Sequence, residues 1–460
     1  MNIRRVQGPE RQWVQVVYGR VVLHGPALVV AVVTILLSRR LFRLISRYSV
    51  NIFFSDQWGF NEATVFEKHS LWQMFRWQHG PHRQGAGALV SYLLEPHFQW
   101  NSRTESFWIG GLIVVSAICA LWLKMRLFKT IELWDVCIPL ILLTPLQYGQ
   151  VFVVANWAHG PLPLFLTILY CLAWTIANLP WRYALVLTLN FVTIYTGFGL
   201  FLGLLTPLAI LADYFVNLKG KPRATIYVSG ALLISAISFC SFFLGYVFNP
   251  AVGCRPNLFQ SPGAYVKFVF LMFANVIAAK GIGFLPALAG GILFACMLGA
   301  LVMNCRKLRQ EPAAFRPNLV AATLILGSIV FCGVAAYGRS CLGLREAQVS
   351  RYVMYLEMGL LGLYLSALTI RTKYLRVSAV LLLVLTFINT VRIPRNDRFT
   401  MEYYRKLKID WKACYLHYSE ISVCDQQTGH WLYKDGLDET IEGKLDYLRK
   451  TKQNLYSDVK

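Results

Sequence analysis

Three clusters in this 460-residue chain hold residue types that take protons or grip anions. The first is the run 55–62, which contains Asp56, Trp58 and Glu62. Asp56 directly follows an apolar segment, so it is expected at a membrane surface. A carboxylate there, beside Trp58, is partly desolvated and can serve as a general base. The competing reading is a helix N-cap or a solvated loop acid. The second cluster is Gln78-His79-Gly80-Pro81-His82-Arg83. Two histidines three apart suggest a metal pair, but Gly80-Pro81 breaks any helix that would align them, and no third ligand is evident. Arg83 is the better anion ligand, because its planar fork matches phosphate oxygens. The third cluster places Arg339, Arg345, Arg351 and Tyr352 between two apolar runs. Arginine at membrane depth costs about 2.5–3.5 kcal/mol on insertion scales, which points to an anionic partner; headgroup anchoring is the competing reading.

The elements that position these clusters follow from composition. The chain is 56% apolar and only 15% charged, with 14% aromatic residues and a mean hydropathy of +0.48. Soluble globular chains carry about 25% charged residues, so the expected class is an all-α polytopic membrane protein. Lys and Arg number 45 against 23 Asp and Glu, a net +22. These cations sit between apolar runs, where they fit anionic headgroups and orientation signals rather than nucleic acid. No nucleic-acid-binding pattern, Walker A loop or Gly-x-Ser-x-Gly elbow is present, and Gly197-Phe-Gly199-Leu-Phe-Leu-Gly203 reads as helix packing.

A basic N-terminus leads into the apolar stretch Pro26–Leu37, read as an uncleaved first span because no small-x-small site follows. Further apolar runs fall near 106–123, 134–154, 160–178, 183–197, 198–212, 225–248, 284–304, 317–338, 352–370 and 377–391. Together they give about eleven spans, if 264–280 lies along the outer interface. The stretch 183–212 is either two tight spans or one helix broken near Gly197–Gly199. Clusters such as Lys124/Arg126/Lys129 and Lys219/Lys221/Arg223 mark cytoplasmic loops, placing the N-terminus in the cytoplasm and the C-terminus outside. Arg39, Arg40, Arg43 and Arg47 resist this scheme unless they snorkel. The division is thus a transmembrane domain, 1–392, with a large first outer loop at 48–105, and an outer tail, 393–460. The tail ends in a helical pattern over 438–454, with Ile441, Leu445 and Leu448 on one face. Most cysteines lie within apolar runs as packing residues, and Cys254 and Cys341 fall in polar loops. Cys414 and Cys424 lie in the tail, where an oxidising compartment would join them in a short disulfide loop.

The combined layout resembles the bacterial GT-C glycosyltransferases, polytopic enzymes that use polyprenyl-phosphate-linked sugars, and is nearest to their uncharacterised members. The features that carry the resemblance are Asp56-Gln57-Trp58 after the first span, His79 to Arg83, Pro145-Leu-Gln147 opening a span, and Gly338-Arg339…Ser350-Arg351-Tyr352 before the last spans. It covers most of the chain, though each motif is short. The resemblance implies an inverting transfer from a polyprenyl-phosphate-linked sugar donor to a cell-envelope glycan or lipid acceptor. The site would be on the periplasmic face of a bacterial inner membrane. It implies Asp56 as catalytic base, Arg83, Arg339, Arg345 and Arg351 on the donor phosphate, and Trp58, His79, His82 and Tyr352 in support. A divalent cation such as Mg or Mn shares the phosphate role in some such enzymes; no nucleotide cofactor is implied. This chain departs from the pattern at Gln78-His79-Gly80-Pro81, where relatives carry Asn-Glu before His-Arg, so the second acid is Glu62 or Glu67. The alternatives are a non-enzymatic flippase for lipid-linked sugars, whose route would need ionisable residues inside several spans, and an envelope polysaccharide polymerase. An acyltransferase is a weaker third.

Overall fold

The computed structural model describes residues 9–67, 69–247, 261–432 and 438–458, and it is built almost wholly of helices. Among the described residues the only sheet is a hairpin of two-residue strands, Gln78–His79 against His82–Arg83. Among the described residues five helices are long and apolar enough to cross a bilayer: Ser102–Phe128, Leu200–Leu218, Pro222–Ser241, Phe284–Gln310 and Pro312–Leu342. Shorter apolar helices, among them Pro161–Ala173, Leu179–Ile194 and Pro262–Val276, pack among them.

The stretch 183–212 divides into two helices, Leu179–Ile194 and Leu200–Asp213. The turn is made at Gly197, which has φ +38°; a Cβ there would stand 2.6 Å from the Ala158 carbonyl oxygen and 2.8 Å from the Tyr355 hydroxyl. Glycine is therefore required both for the backbone conformation and for the close approach. Only the start of the segment 264–280, at Ala264 and Val266, is exposed. Within Pro262–Val276, Phe268, Leu271, Met272 and Phe273 are all 0% exposed and pack into the bundle. The reason is composition: the second half of that helix has no charged residue to hold it at an interface.

Part of the basic patterning proves to be internal pairing. Lys124 is buried against Asp135 at 2.8 Å, and the Tyr364 hydroxyl donates to the same carboxylate at 2.6 Å. Arg182 pairs with Asp213 at 2.9 Å in the same manner. Burial of one charge without its partner would cost several kcal/mol (~3–5), so these pairs lock helix register as well as marking loops.

The tail does not make a core of its own. Leu407, Trp411, Tyr415, Leu445 and Leu448 share one apolar cluster with Ile52, Phe53, Trp58 and Trp100 from the first long loop. The expected helix forms as Asp438–Thr451 and buries Ile441, Leu445 and Leu448. Cys414 and Cys424 are joined by a disulfide, with Cα atoms 5.6 Å apart. Asn454 clamps both ends of the loop: its amide nitrogen donates to the Trp100 carbonyl at 2.7 Å, and its amide oxygen accepts from Phe53 N at 3.0 Å. The first helix, Pro9–Tyr48, meets the tail through an Arg47–Glu402 ion pair at 2.5 Å.

Candidate functional site

Asp56 opens the short helix Gln57–Phe60, but its carboxylate does not cap that helix. It is only half-buried. Asp56 and Glu62 both bear on His79: burial lowers the pKa of His79, and the two carboxylates oppose that shift. The His79 ring packs on Phe60 at 4.7 Å between centroids. Gly59 makes the approach possible, since a Cβ there would lie 2.4 Å from His79 Cε1. Glu62 also pairs with Lys444 of the tail at 3.1 Å. Glu67 lies elsewhere in use, held by His69 at 2.6 Å.

The hairpin carries His79 and His82 as directly opposed residues, with Gln78 opposite Arg83. Opposed residues share a face and successive residues alternate, so the two histidines point one way and Gln78 and Arg83 the other. His82 packs against His159 at 5.0 Å and Phe198 at 4.1 Å. Burial pushes the His82 pKa down to about 3, and the charges of Arg339, His79 and Arg351 push the same way. His159 is held well below the usual histidine range, again chiefly by burial and then by His82 and Arg351. The two rings are therefore neutral near neutral pH, and the positive charge at this point belongs to the arginines.

Arg339 ends the helix Phe315–Arg339, and Arg351 sits in the single turn Ser350–Tyr352. Arg351 lies 3.4 Å from Glu346 and covers the Tyr352 ring at 5.6 Å. Among the described residues Arg339 forms no ion pair. Tyr352 is fully buried, with its hydroxyl unpartnered. The charges of Asp56 and Glu62 thus reach His79, and those of Arg339 and Arg351 reach His82, the residue opposed to it. Arg345 is exposed on the surface.

Two expected residues have other tasks. Arg83 is 2% exposed and is spent on backbone carbonyls: Phe242 at 3.1 and 3.0 Å, Leu244 at 2.7 Å and Arg76 at 2.6 Å. It ties the hairpin to the chain just beyond the helix Pro222–Ser241. Trp58 does not cover Asp56. It is a core residue, 2% exposed, stacked on Phe66 at 6.2 Å and edge-on to Phe53 at 5.5 Å. Among the described residues no three His, Cys, Asp or Glu side chains form a set that could hold a metal ion, so no cation is assigned to the site. Cys254 lies outside the described residues; Cys341 is disulfide-bonded.

Residue-by-residue reading missed His159, whose Nδ1 is buried without a hydrogen-bond partner. It also missed a set of buried polar groups reached through Gln57. Gln57 Nε2 donates to Glu105 at 3.4 Å and to the Ala155 carbonyl at 3.2 Å. Trp157 Nε1 donates to Glu95 at 3.0 Å. Lys408, from the tail, donates to the carbonyls of Phe152 and Val153. Burial raises the Glu95 pKa to about 7 and lowers that of Lys408 to about 7. A cavity of about 20 Å³, lined in part by Asn61, Gln84, Glu105 and Asn156, has room for a water molecule among them. The signal available in the sequence was Glu95 and Glu105 themselves, acids at the edges of apolar runs. Compared by sequence with known proteins, the chain matches no protein-family model and no curated protein.

Proposed function

We propose that this protein is a membrane glycosyltransferase that moves a sugar from a polyprenyl-phosphate-linked donor to an envelope glycan or lipid, with inversion and with Asp56 as general base. The observation that carries the reading is that Asp56 and Glu62 act on His79 while Arg339 and Arg351 act on His82, its directly opposed partner in the hairpin. The chemistry needs both kinds of charge. Asp56 takes the proton of the acceptor hydroxyl as its oxygen bonds to the anomeric carbon. The bond from that carbon to phosphate oxygen breaks, and the departing lipid phosphate keeps the electron pair. Arg339 and Arg351 offset the charge that develops on the phosphate. The neutral state of His82 and His159 leaves that role to the arginines and keeps the polar wall free of competing protons.

The reading extends to location: a bacterial inner membrane, the N-terminus in the cytoplasm, and the site and tail in the periplasm. Its support is the disulfide Cys414–Cys424, which belongs to an oxidising compartment. A flippase for lipid-linked sugars is the second reading, favoured by Glu357, a fully buried acid in the helix Val353–Leu368 whose two oxygens have no partner.

Purified protein incubated with polyprenyl-phosphate sugars should consume the donor. Asp56→Asn keeps shape and hydrogen bonding but cannot accept a proton, so turnover should fall by about 10²-fold or more while donor binding persists. If Asp56→Asn stays active while Glu62→Gln or Glu67→Gln abolishes transfer, the base is reassigned. If all three variants transfer normally, none of these acids is the base; if the purified protein consumes no donor, the enzyme reading fails and the flippase reading replaces it.

A further inference from the structure

The second face of the hairpin borders a different space. Gln78 and Arg83, opposed to each other and turned away from the histidines, line a groove of about 460 Å³. That size falls within the ~300–1,000 Å³ of small-molecule sites. Trp72, Arg76 and Trp77 form another wall, and Gly245 and Val247 close it.

Among the described residues that line the groove, Arg76 and Arg83 carry positive charge and none is a carboxylate. Arg76 stands close enough to Arg83 for its charge to oppose the protonation of Arg83. Both guanidiniums donate to carbonyls rather than to carboxylates; Arg76 gives one bond, to the Leu244 oxygen at 2.6 Å. Glu67, the acid on this side, is engaged by His69. Arg83 is spent, whereas Arg76 keeps most of its donors. Gly245 adopts φ +61°, and a Cβ there would lie 2.5 Å from Arg76 Nη2, so glycine is what lets the chain close over the guanidinium. Trp77 Nε1 is buried here with no hydrogen-bond partner.

Of the lining residues Trp72 (55%) and Val247 (70%) are exposed and apolar, beside the polar His69, Gln73 and Gln78; the chain neighbours Leu71, Phe243 and Leu244 are exposed as well. A cation set in a groove beside such apolar side chains complements an amphiphilic anion, a phosphate carried on hydrocarbon chains. A free phosphate or sugar phosphate would satisfy Arg76 and leave those side chains uncovered.

We propose that this groove binds the acceptor and that the acceptor is a phosphate-bearing lipid, its phosphate on Arg76 and its chains along Trp72 and Val247. The inference rests on the transferase reading above, in which the donor phosphate lies with Arg339 and Arg351 on the opposite face of the hairpin. That leaves a second anionic lipid to this face.

Quenching of tryptophan fluorescence by brominated phosphatidylglycerol in nanodiscs tests it, with Trp72→Phe identifying the contribution of the groove. Quenching by phosphatidylglycerol should be saturable and stronger than by brominated phosphatidylcholine. It should weaken about tenfold in Arg76→Gln, recover in part in Arg76→Lys, and remain unchanged in Arg339→Gln. Equal quenching by the two lipids, or indifference to both Arg76 variants, would overturn the proposal and reduce the groove to an interfacial aromatic anchor. Displacement of phosphatidylglycerol by inorganic phosphate would also overturn it, as would Arg76-dependent displacement by a polyprenyl-phosphate hexose, which would give the groove to the donor. The readout needs no turnover, so a protein that binds the lipid through Arg76 yet consumes no donor would refute the transferase and leave the groove's ligand standing.

Discussion

Acidification should unfold this protein through its buried histidines, and His82 is where the size of the effect can be worked out. In the folded protein its pKa is pushed down to about 3, by burial first and by Arg339, His79 and Arg351 after that. An unfolded histidine titrates near 6.5. Above that value both states are neutral and His82 contributes no pH dependence. Below it the unfolded chain binds a proton that the folded chain refuses, so stability falls as pH drops from about 6.5 toward about 3. At about pH 5 the gap is about 1.5 pH units, or about 2 kcal/mol at 1.36 kcal/mol per unit. His79 and His159, also lowered by burial, add to the loss in the same direction. His82→Phe keeps the ring contact with Phe198 and removes the titration. Thermal unfolding in detergent, compared between about pH 7.5 and about pH 5, should therefore show a shallower loss in the variant, smaller by about 2 kcal/mol. Equal losses in the two proteins would show that His82 is protonated or solvated in the folded state, and the account of a neutral histidine wall beneath the arginines would fall with it. A lipid phosphate bound between Arg339 and Arg351 should raise the His82 pKa and flatten the same slope.

Arg83→Gln should cost stability rather than donor affinity. It removes the donors to the Phe242, Leu244 and Arg76 carbonyls, a loss of about 1.5–3 kcal/mol by unfolding, while the binding of a polyprenyl-phosphate sugar holds steady. A selective loss of donor binding in a stable Arg83→Gln protein would return that residue to the site. Cys424→Ser opens a loop with a sequence separation of 10, and loop-closure arithmetic assigns it roughly 2–3 kcal/mol. Because the tail shares its core with the first loop, denaturation should shift in both segments at once; protease sensitivity confined to the tail would contradict the shared core.

Several features are local and were legible in the amino-acid order. The apolar runs, the amphipathic face of Ile441, Leu445 and Leu448, the break at Gly197 and the spacing of Cys414 and Cys424 follow from periodicity, backbone freedom and chain length alone. The three clusters that hold Asp56, the His79–His82 pair and the late arginines were also legible, because charged and imidazole side chains are conspicuous between apolar spans. What each residue does there was decided by tertiary packing. A guanidinium serves peptide carbonyls and phosphate oxygens equally well, so nothing in the sequence separates Arg83 from Arg339. Only the arrival of the chain at Phe242 and Leu244 spends the first, whereas among the described residues the second has no ion pair. Trp58 likewise reads as an aromatic beside an acid until Phe53 and Phe66 close around it. His159, Glu105 and Lys408 are each ordinary in their own segments. Lys408 reaches the Phe152 and Val153 carbonyls only because the tail folds onto the first loop, a long-range burial of apolar surface to which local pattern is blind.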